Sequence, residues 1–218
     1  MEDTNLSKTN YAYEYIKKNL KDGKWKFGEE ISVIETAKEL GYSRRPIIDA
    51  LKKLELENFV EIVPQTGCRV INYTKEQMYD HFLTVMVLEG MAAQLAAERG
   101  QESEVDHLYQ INDELHQLVM KDNFAKDEYF VINRKLHHSI LEMARSEKIY
   151  NLTKNQWDLN DFYLINVSLF EHDPSQTIEE HKAIIDKIKM RDSKGARSIM
   201  ESHILKFAAI VGNSKILN

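Results

Sequence analysis

The segment from Phe27 to Ile71 constrains the fold of this chain most strongly. Its pattern predicts a short helix over Glu35–Leu40, a turn at Gly41 and Tyr42, and a longer helix over Ser43–Glu57. Two helices joined by so short a turn are typical of a helix-turn-helix unit.

A hairpin is expected directly after the second helix. Two short strands, Phe59–Val63 and Cys68–Ile71, flank the turn residues Pro64-Gln65-Thr66-Gly67. Helix, turn, helix and hairpin follow one another in this order in a winged helix-turn-helix, which places its second helix in the DNA major groove. The sequence therefore predicts an N-terminal nucleic-acid-binding domain.

The start of the second helix carries the candidate DNA contacts. The hydroxyl of Ser43 is expected to cap the helix, because it can accept a hydrogen bond from a backbone N–H of the first turn. Arg44 and Arg45 lie in that turn, where positive charge opposes the helix dipole. Two solvated arginines are one interpretation. Contact with guanine edges and phosphates is the other, and the hairpin that follows favours it.

Charge is distributed unevenly along the chain. Residues 1–71 hold 12 Lys and Arg against 12 Asp and Glu, so the whole net charge of −6 lies in the remainder. A neutral domain can bind DNA if its cations cluster on one face, but its non-specific affinity should be modest.

The remainder of the chain predicts an all-helical bundle. No stretch alternates with period two, and the whole chain has only 8 Gly and 3 Pro. About six helices are expected, at residues 74–99, 102–121, 124–145, 147–170, 178–191 and 193–211. We therefore predict a mostly α-helical protein, with a winged helix-turn-helix domain over residues 1–72 and a helical bundle over residues 73–218.

Composition favours a cytoplasmic protein without a membrane span. The N-terminus is polar, and the longest apolar runs, such as Phe207–Val211, fall far short of the ~20 residues that a spanning helix needs. The single cysteine, Cys68, cannot form an internal disulfide. It serves either as a packing residue of the wing or as a redox sensor.

Three of the eight histidines suggest a metal site in the bundle. His137 follows Asn133 by four residues, so both lie on one helix face. His181 lies near the start of a later helix, and His203 lies on the last one, which a turn at Asp192–Gly195 folds back. Three imidazoles and one further ligand suit Zn²⁺ or Ni²⁺. Isolated helical histidines are the alternative.

The N-terminal pattern resembles the winged helix of GntR-family bacterial transcription regulators. The resemblance rests on Gly41–Leu51, on Leu54-Glu55 and Asn58-Phe59-Val60, and on Pro64–Val70. It implies that Ser43, Arg44 and Arg45 face the operator and that Gly67 lets the wing tip approach the DNA backbone. Lys52 and Arg69 are expected on phosphates.

Two residues depart from the family pattern in this domain. Ile48 stands where the family usually has Arg, and Ile34 stands where it often has a polar residue. Either the operator differs, with Ile48 against a thymine methyl, or binding is weaker.

The second domain resembles the FCD effector domain of the FadR-type GntR branch. The matching residues are Leu88-Glu89, Ala92–Arg99, Asn133–His137, Glu180–Ile184, Ala196-Arg197, Met200 and His203. The resemblance implies a divalent metal on His137, His181 and His203, with Asn133 in the position of the family's Asp. Val85 replaces an Arg that often lines the pocket. With Asn133 neutral, a bound dication keeps more positive charge, which favours an organic acid as effector.

Three functions remain open at this point. The leading hypothesis is a ligand-responsive transcription regulator that binds a pseudo-palindromic operator as a homodimer. A DNA-binding regulator whose helical domain only dimerises is the second. The third is a metal-dependent hydrolase that uses His137, His181 and His203, with Glu180 as general base.

Overall fold

A computed structural model describes residues 7–63, 67–121, 124–154, 156–166 and 174–213. It confirms a mostly helical protein in which a small winged helix-turn-helix precedes a helical bundle. The described residues form two compact units. The first contains the chain up to Thr74 together with Asp161–Asn166, and the second contains the rest. The predicted boundary between residues 72 and 73 lies close to the end of the first segment at Thr74. The prediction did not assign Asp161–Asn166 to the first unit.

The helices of the first unit begin and end at local sequence signals. They are α1 (Lys8–Lys21), α2 (Val33–Leu40) and α3 (Arg44–Leu56). The Ser32 hydroxyl accepts a hydrogen bond from the Glu35 backbone N–H, and Gly41 ends α2 in the left-handed region at φ 64°. Ser43 occupies the N-cap position of α3, as predicted. The prediction that its hydroxyl caps the helix was wrong, because the hydroxyl makes no capping hydrogen bond.

The predicted hairpin is confirmed within a three-stranded antiparallel sheet. Strands β1 (Glu30–Ile31), β2 (Val60–Val63) and β3 (Gly67–Val70) are arranged in the order β1-β3-β2. The register pairs Val60 with Val70 and Val63 with Gly67. Strand β1 was not predicted, because two residues are too few to show alternation. The turn residues Pro64-Gln65-Thr66 lie outside the described residues.

Helix α3 lies at the centre of the first unit. It packs against α1, α2 and β2, and its inward residues Ile47, Ala50, Leu51 and Leu54 are fully or almost fully buried. Phe162 and Tyr163 also belong to this unit, where the Phe162 ring lies 5.3 Å from that of Phe27 and 5.4 Å from that of Phe59. This packing leaves the N-terminal turn of α3 at the surface.

The second unit is helical throughout its described residues. Its helices are α4 (Lys75–Arg99), α5 (Glu102–Val119), α6 (Lys126–Met143), α7 (Glu147–Thr153), the first part of α8 (Gln156–Asn166), α9 (Ser175–Lys189) and α10 (Ser193–Asn213). Helix α4 packs against α6, α9 and α10, while α5 packs against α6 and α9. Across the described ranges, no helix is both long enough and apolar enough to cross a membrane.

One helix prediction in this unit was wrong. The segment 147–170 was expected to form a single helix, but α7 ends at Thr153 and α8 begins at Gln156. The Thr153 hydroxyl donates a hydrogen bond to the Ile149 carbonyl one turn earlier, a bond of the kind that slightly destabilises and often bends a helix. Residues 167–170 lie outside the described residues.

Candidate metal centre and nucleic-acid interface

Three helices bring His137, His181 and His203 together inside the second unit. The residues lie on α6, α9 and α10, and their exposed fractions are 0%, 0% and 1%. One ring nitrogen from each lies within 4.8 Å of the corresponding nitrogens of the other two. The convergence that the sequence predicted from spacing and resemblance is therefore present, and the nitrogens are close enough to share one ion.

The cluster is rich in buried polar atoms that lack partners. Nε2 of His137, Nε2 of His203, both ring nitrogens of His181 and Oδ1 of Asn133 have no hydrogen-bond partner among the described residues. Buried polar atoms are nearly always paired, so four unpaired nitrogens in one histidine cluster, with a fifth unpaired atom on the helix of His137, need an explanation. A coordinated cation satisfies imidazole nitrogens and an amide oxygen at once.

The three imidazoles are in the neutral form that binds metals. Burial lowers the pKa of His137 to about 3 and lowers the pKa of His181 well below its ordinary value. Burial also lowers the pKa of His203, against the opposing effect of the Glu180 carboxylate. Each ring therefore keeps a lone pair at neutral pH, as a metal ligand requires.

Two carboxylates contact the outer sides of these rings. Glu89 Oε2 lies 3.2 Å from His137 Nδ1, and Glu180 Oε2 lies 2.7 Å from His203 Nδ1. Glu89 is completely buried on α4, and its Oε1 accepts a 2.9 Å hydrogen bond from Trp157 Nε1. Burial raises the pKa of Glu89 to about 8, while hydrogen bonds from His203 and Lys206 outweigh burial and lower the pKa of Glu180.

Sequence reasoning did not assign the Glu89–His137 and Trp157–Glu89 contacts to the site. The sequence offers two signals for Glu89. It is the only charged residue in the apolar run from Phe82 to Ala93, and it belongs to the Leu88-Glu89 pair that resembles the family motif. No signal in the sequence connected Trp157 with Glu89, which precedes it by 68 residues.

The fourth ligand stays a prediction. Asn133 lies on α6 one turn before His137 and is 5% exposed, with its Oδ1 among the unpaired atoms. Val85 is fully buried on α4, one turn before Glu89. The cationic side chain that often lines the family's pocket is therefore absent at this position.

The candidate DNA contacts are exposed on the first unit. Ser43, Arg44 and Arg45 form the start of α3, Lys52 lies further along it, and Gly67 and Arg69 lie on β3. Arg45 pairs with Asp49 at 3.0 Å, and Arg69 pairs with Glu61 at 2.6 Å. Within the described part of the chain, Arg44 and Lys52 have no ion-pair partner.

Two isoleucines are exposed on the helix-turn-helix. Ile34 on α2 is 60% exposed and Ile48 on α3 is 36% exposed. Both side chains are therefore available to apolar groups on DNA, such as a thymine methyl.

The redox alternative for Cys68 receives no support. Its side chain is buried in β3, and burial, with the nearby Glu55 and Glu61, raises the pKa of the thiol to about 12. A redox-sensing cysteine needs an accessible thiolate. Cys68 therefore acts as a packing residue.

Two family models match the chain in the same order as its two units. The gntR family of bacterial regulatory proteins matches residues 8–70, and the FCD domain matches residues 80–206. Together they include nearly all of the described residues.

Relatives and solved structures agree with this assignment. The HTH-type transcriptional regulator YdhC of Bacillus subtilis is 26% identical over 192 residues, covering 88% of this chain and 85% of YdhC. The HTH-type transcriptional repressor GlaR of Escherichia coli is 24% identical over 205 residues, covering 89% and 91%. The fold is similar to that of E. coli McbR/YncC, with a TM-score of 0.78 and 21% identity, covering 95% of this chain and 98% of that one.

These matches decide between the classes of function that the sequence left open. The family models and the relatives indicate transcription regulation, and they give no support to a hydrolase. The chain therefore belongs to the gntR family of bacterial regulatory proteins, as a DNA-binding transcription regulator with an FCD effector domain and not an enzyme.

Proposed function

We propose that this regulator binds a pseudo-palindromic operator as a homodimer, and that a metal centre in its helical domain controls that binding. Each chain carries one winged helix, which reads one half-site, so two-fold symmetry of the protein matches two-fold symmetry of the DNA. Since operator DNA lies in the bacterial cytoplasm, the protein acts there.

On the DNA side, Arg44 is the leading base-reading residue. It is exposed in the first turn of α3 and has no ion-pair partner among the described residues. To contact DNA, Arg45 must release its ion pair with Asp49, and Arg69 must release its ion pair with Glu61. Both are surface pairs worth about 0–1 kcal/mol, so the exchange costs little. Ser43, Lys52 and Gly67 add hydroxyl, cation and backbone contacts to phosphates.

The metal centre is supported above all by the four unpaired, buried ring nitrogens of His137, His181 and His203. We assign His137, His181 and His203 as ligands of a divalent Zn or Ni ion, with the Asn133 carbonyl oxygen as the fourth. When bound, the ion supplies a Lewis-acidic coordination position for an oxygen ligand. The protein's own contribution is to hold three buried, neutral imidazoles in position around the ion.

A small organic acid is the proposed effector. All four protein ligands are neutral, so the coordination sphere keeps the full charge of the dication and favours a carboxylate as an added ligand. Val85 offers no cation to such an acid, which leaves the metal as its anchor. Effector binding then changes operator affinity through its different affinity for the two states of the dimer.

Operator binding can be tested with full-length protein and operators selected from a random DNA library. We expect protection of two half-sites about 10 bp apart, and a dimer by light scattering. Arg44→Ala with Arg45→Ala should abolish specific binding with little change in melting temperature, because both arginines are exposed. Lys194→Ala, an exposed cation on α10, is the matched control.

The metal dependence is tested on the same operator. Affinity is measured for zinc-loaded and chelator-treated protein, each with and without a panel of organic acids. A difference between the four conditions supports regulation through the metal centre. Equal affinity in all four would leave the helical domain with dimerisation alone.

A further inference from the structure

Two histidines of the cluster each have one ring nitrogen in hydrogen-bond contact with a carboxylate on another helix. Glu89 on α4 contacts Nδ1 of His137, and Glu180 on α9 contacts Nδ1 of His203. In both rings the opposite nitrogen, Nε2, is buried and has no partner among the described residues. Each of these imidazoles therefore has one nitrogen directed to a carboxylate and the other left for the ion.

Glu89 is itself fixed in place. Trp157 Nε1 can only donate, so Glu89 Oε1 is an acceptor, and Oε2 remains for His137. The Trp157 ring also lies 4.3 Å from the His137 ring, between centroids, which restricts both. This part of the site is a connected chain of Trp157, Glu89 and His137.

From this arrangement we infer that Glu89 and Glu180 are positioning residues of the metal centre. Each accepts a hydrogen bond from the Nδ1–H of its histidine, so that Nε2 of His137 and His203 presents its lone pair to the ion. This inference rests on the proposed metal function. A carboxylate behind a ligating histidine fixes its tautomer and orientation and makes the ring more basic. His181 has no such carboxylate, since neither of its nitrogens has a partner in the described residues.

The same two residues supply charge that Asn133 lacks. A dication on three imidazoles and one amide carries a formal charge of about +2, which is costly inside a protein unless it is balanced. A neighbouring dication favours the ionised form of a carboxyl group, so in the metal-bound protein Glu89 and Glu180 bring the formal charge of the whole cluster to about zero. Because they are bonded to the rings and not to the ion, the coordination sphere itself stays positive and open to an anionic effector.

The two carboxylates should not contribute equally. Glu89 is fully buried, whereas the Glu180 side chain is 16% exposed and also pairs with Lys206. Electrostatic interactions are stronger where water is excluded. We therefore expect Glu89→Gln to weaken zinc affinity about 100-fold and Glu180→Gln about tenfold, the two ends of the range for such residues.

The test measures zinc affinity of the full-length variants by competition with a chromophoric chelator. Glu142→Gln is the matched control, because Glu142 is exposed on α6, the helix that carries His137. Melting temperatures of the chelated proteins establish that each variant folds. Visible spectra of the Co²⁺-loaded proteins supply a second readout, because d–d bands respond to ligand basicity and geometry, which a purely structural role would leave unchanged.

The outcomes separate this inference from the proposed function. Weaker zinc binding and shifted Co²⁺ bands in the Glu89 and Glu180 variants, with Glu142→Gln unchanged, support it. Wild-type affinity and spectra in folded Glu89→Gln or Glu180→Gln would overturn it, while the metal centre would stand. If Glu89→Gln does not fold, the zinc affinity and Co²⁺ spectrum of Glu180→Gln decide whether the inference stands. A wild-type protein that binds no metal would overturn both.

Discussion

Replacing His181 by leucine should stabilise the metal-free protein. Both ring nitrogens of His181 are buried without partners, and each such atom costs about 1–3 kcal/mol in folding free energy. Leucine has a similar volume and no polar atoms. Allowing for partial hydration of the metal-free site, we expect His181→Leu to raise the free energy of unfolding by about 2 kcal/mol. The melting temperature should rise by about 4–8 °C.

Zinc should reverse this order. At 100 times the dissociation constant, a ligand that binds only the folded state stabilises it by about 2.7 kcal/mol. The wild-type protein should therefore gain about 5–11 °C on adding zinc, while His181→Leu should gain almost nothing. A substitution that stabilises the apo protein and abolishes stabilisation by metal is the signature of a ligand, not of a packing residue.

The unfolding assay can be confined to the helical domain. Trp157 lies beside His137, and the chain has only 2 Trp, so its fluorescence in a Trp25→Phe background reports on the site alone. His107→Leu is the matched control, because His107 is exposed on α5. A His181→Leu protein that is less stable than wild type in chelator and still gains the full shift in melting temperature with zinc would show that His181 is not a metal ligand.

Three further perturbations test other parts of the account. Asn133→Asp should tighten zinc binding about tenfold by adding a carboxylate, as a chelator competition would show; weaker binding would mean that Asn133 does not face the ion. Replacing the thymine opposite Ile48 by deoxyuridine should weaken operator binding about fourfold, because one buried methyl group is lost. The same replacement should leave the operator affinity of the Ile48→Ala protein unchanged. Cys68 should resist iodoacetamide at pH 8 until the protein unfolds, because the pKa of its thiol is raised to about 12; rapid modification of native protein, followed by mass spectrometry, would contradict this.

The winged helix was predictable because its signals are local. Gly41 between two amphipathic segments and Gly67 after the first strand of a hairpin each define a turn within a few residues. Strand β1 was missed because Glu30–Ile31 depends on pairing with β3, which is distant in sequence. The break between α7 and α8 was missed because residues 147–160 contain neither Gly nor Pro.

The metal centre was only partly predictable. His137, His181 and His203 could be grouped by helical spacing and by resemblance to the FCD domain. Their outer partners could not, because Glu89 and His137 are 48 residues apart and meet only through the packing of α4 on α6. Long-range contacts of this kind leave no periodicity in the sequence. The contacts of Glu89 and Glu180 with His137 and His203 are the basis of our proposal that these two carboxylates supply the charge that Asn133 lacks.

Native mass spectrometry of the full-length protein can show directly whether the helical domain binds a metal ion through His181. The protein is purified without chelator or nickel resin, and its metal content is compared with that of His181→Leu. We expect about one Zn or Ni ion per chain in the wild type, or uptake of one on incubation with either metal, and none in the variant. Wild-type protein that carries no metal, takes up none and melts at the same temperature with and without added metal would show that the histidine cluster is not a metal centre.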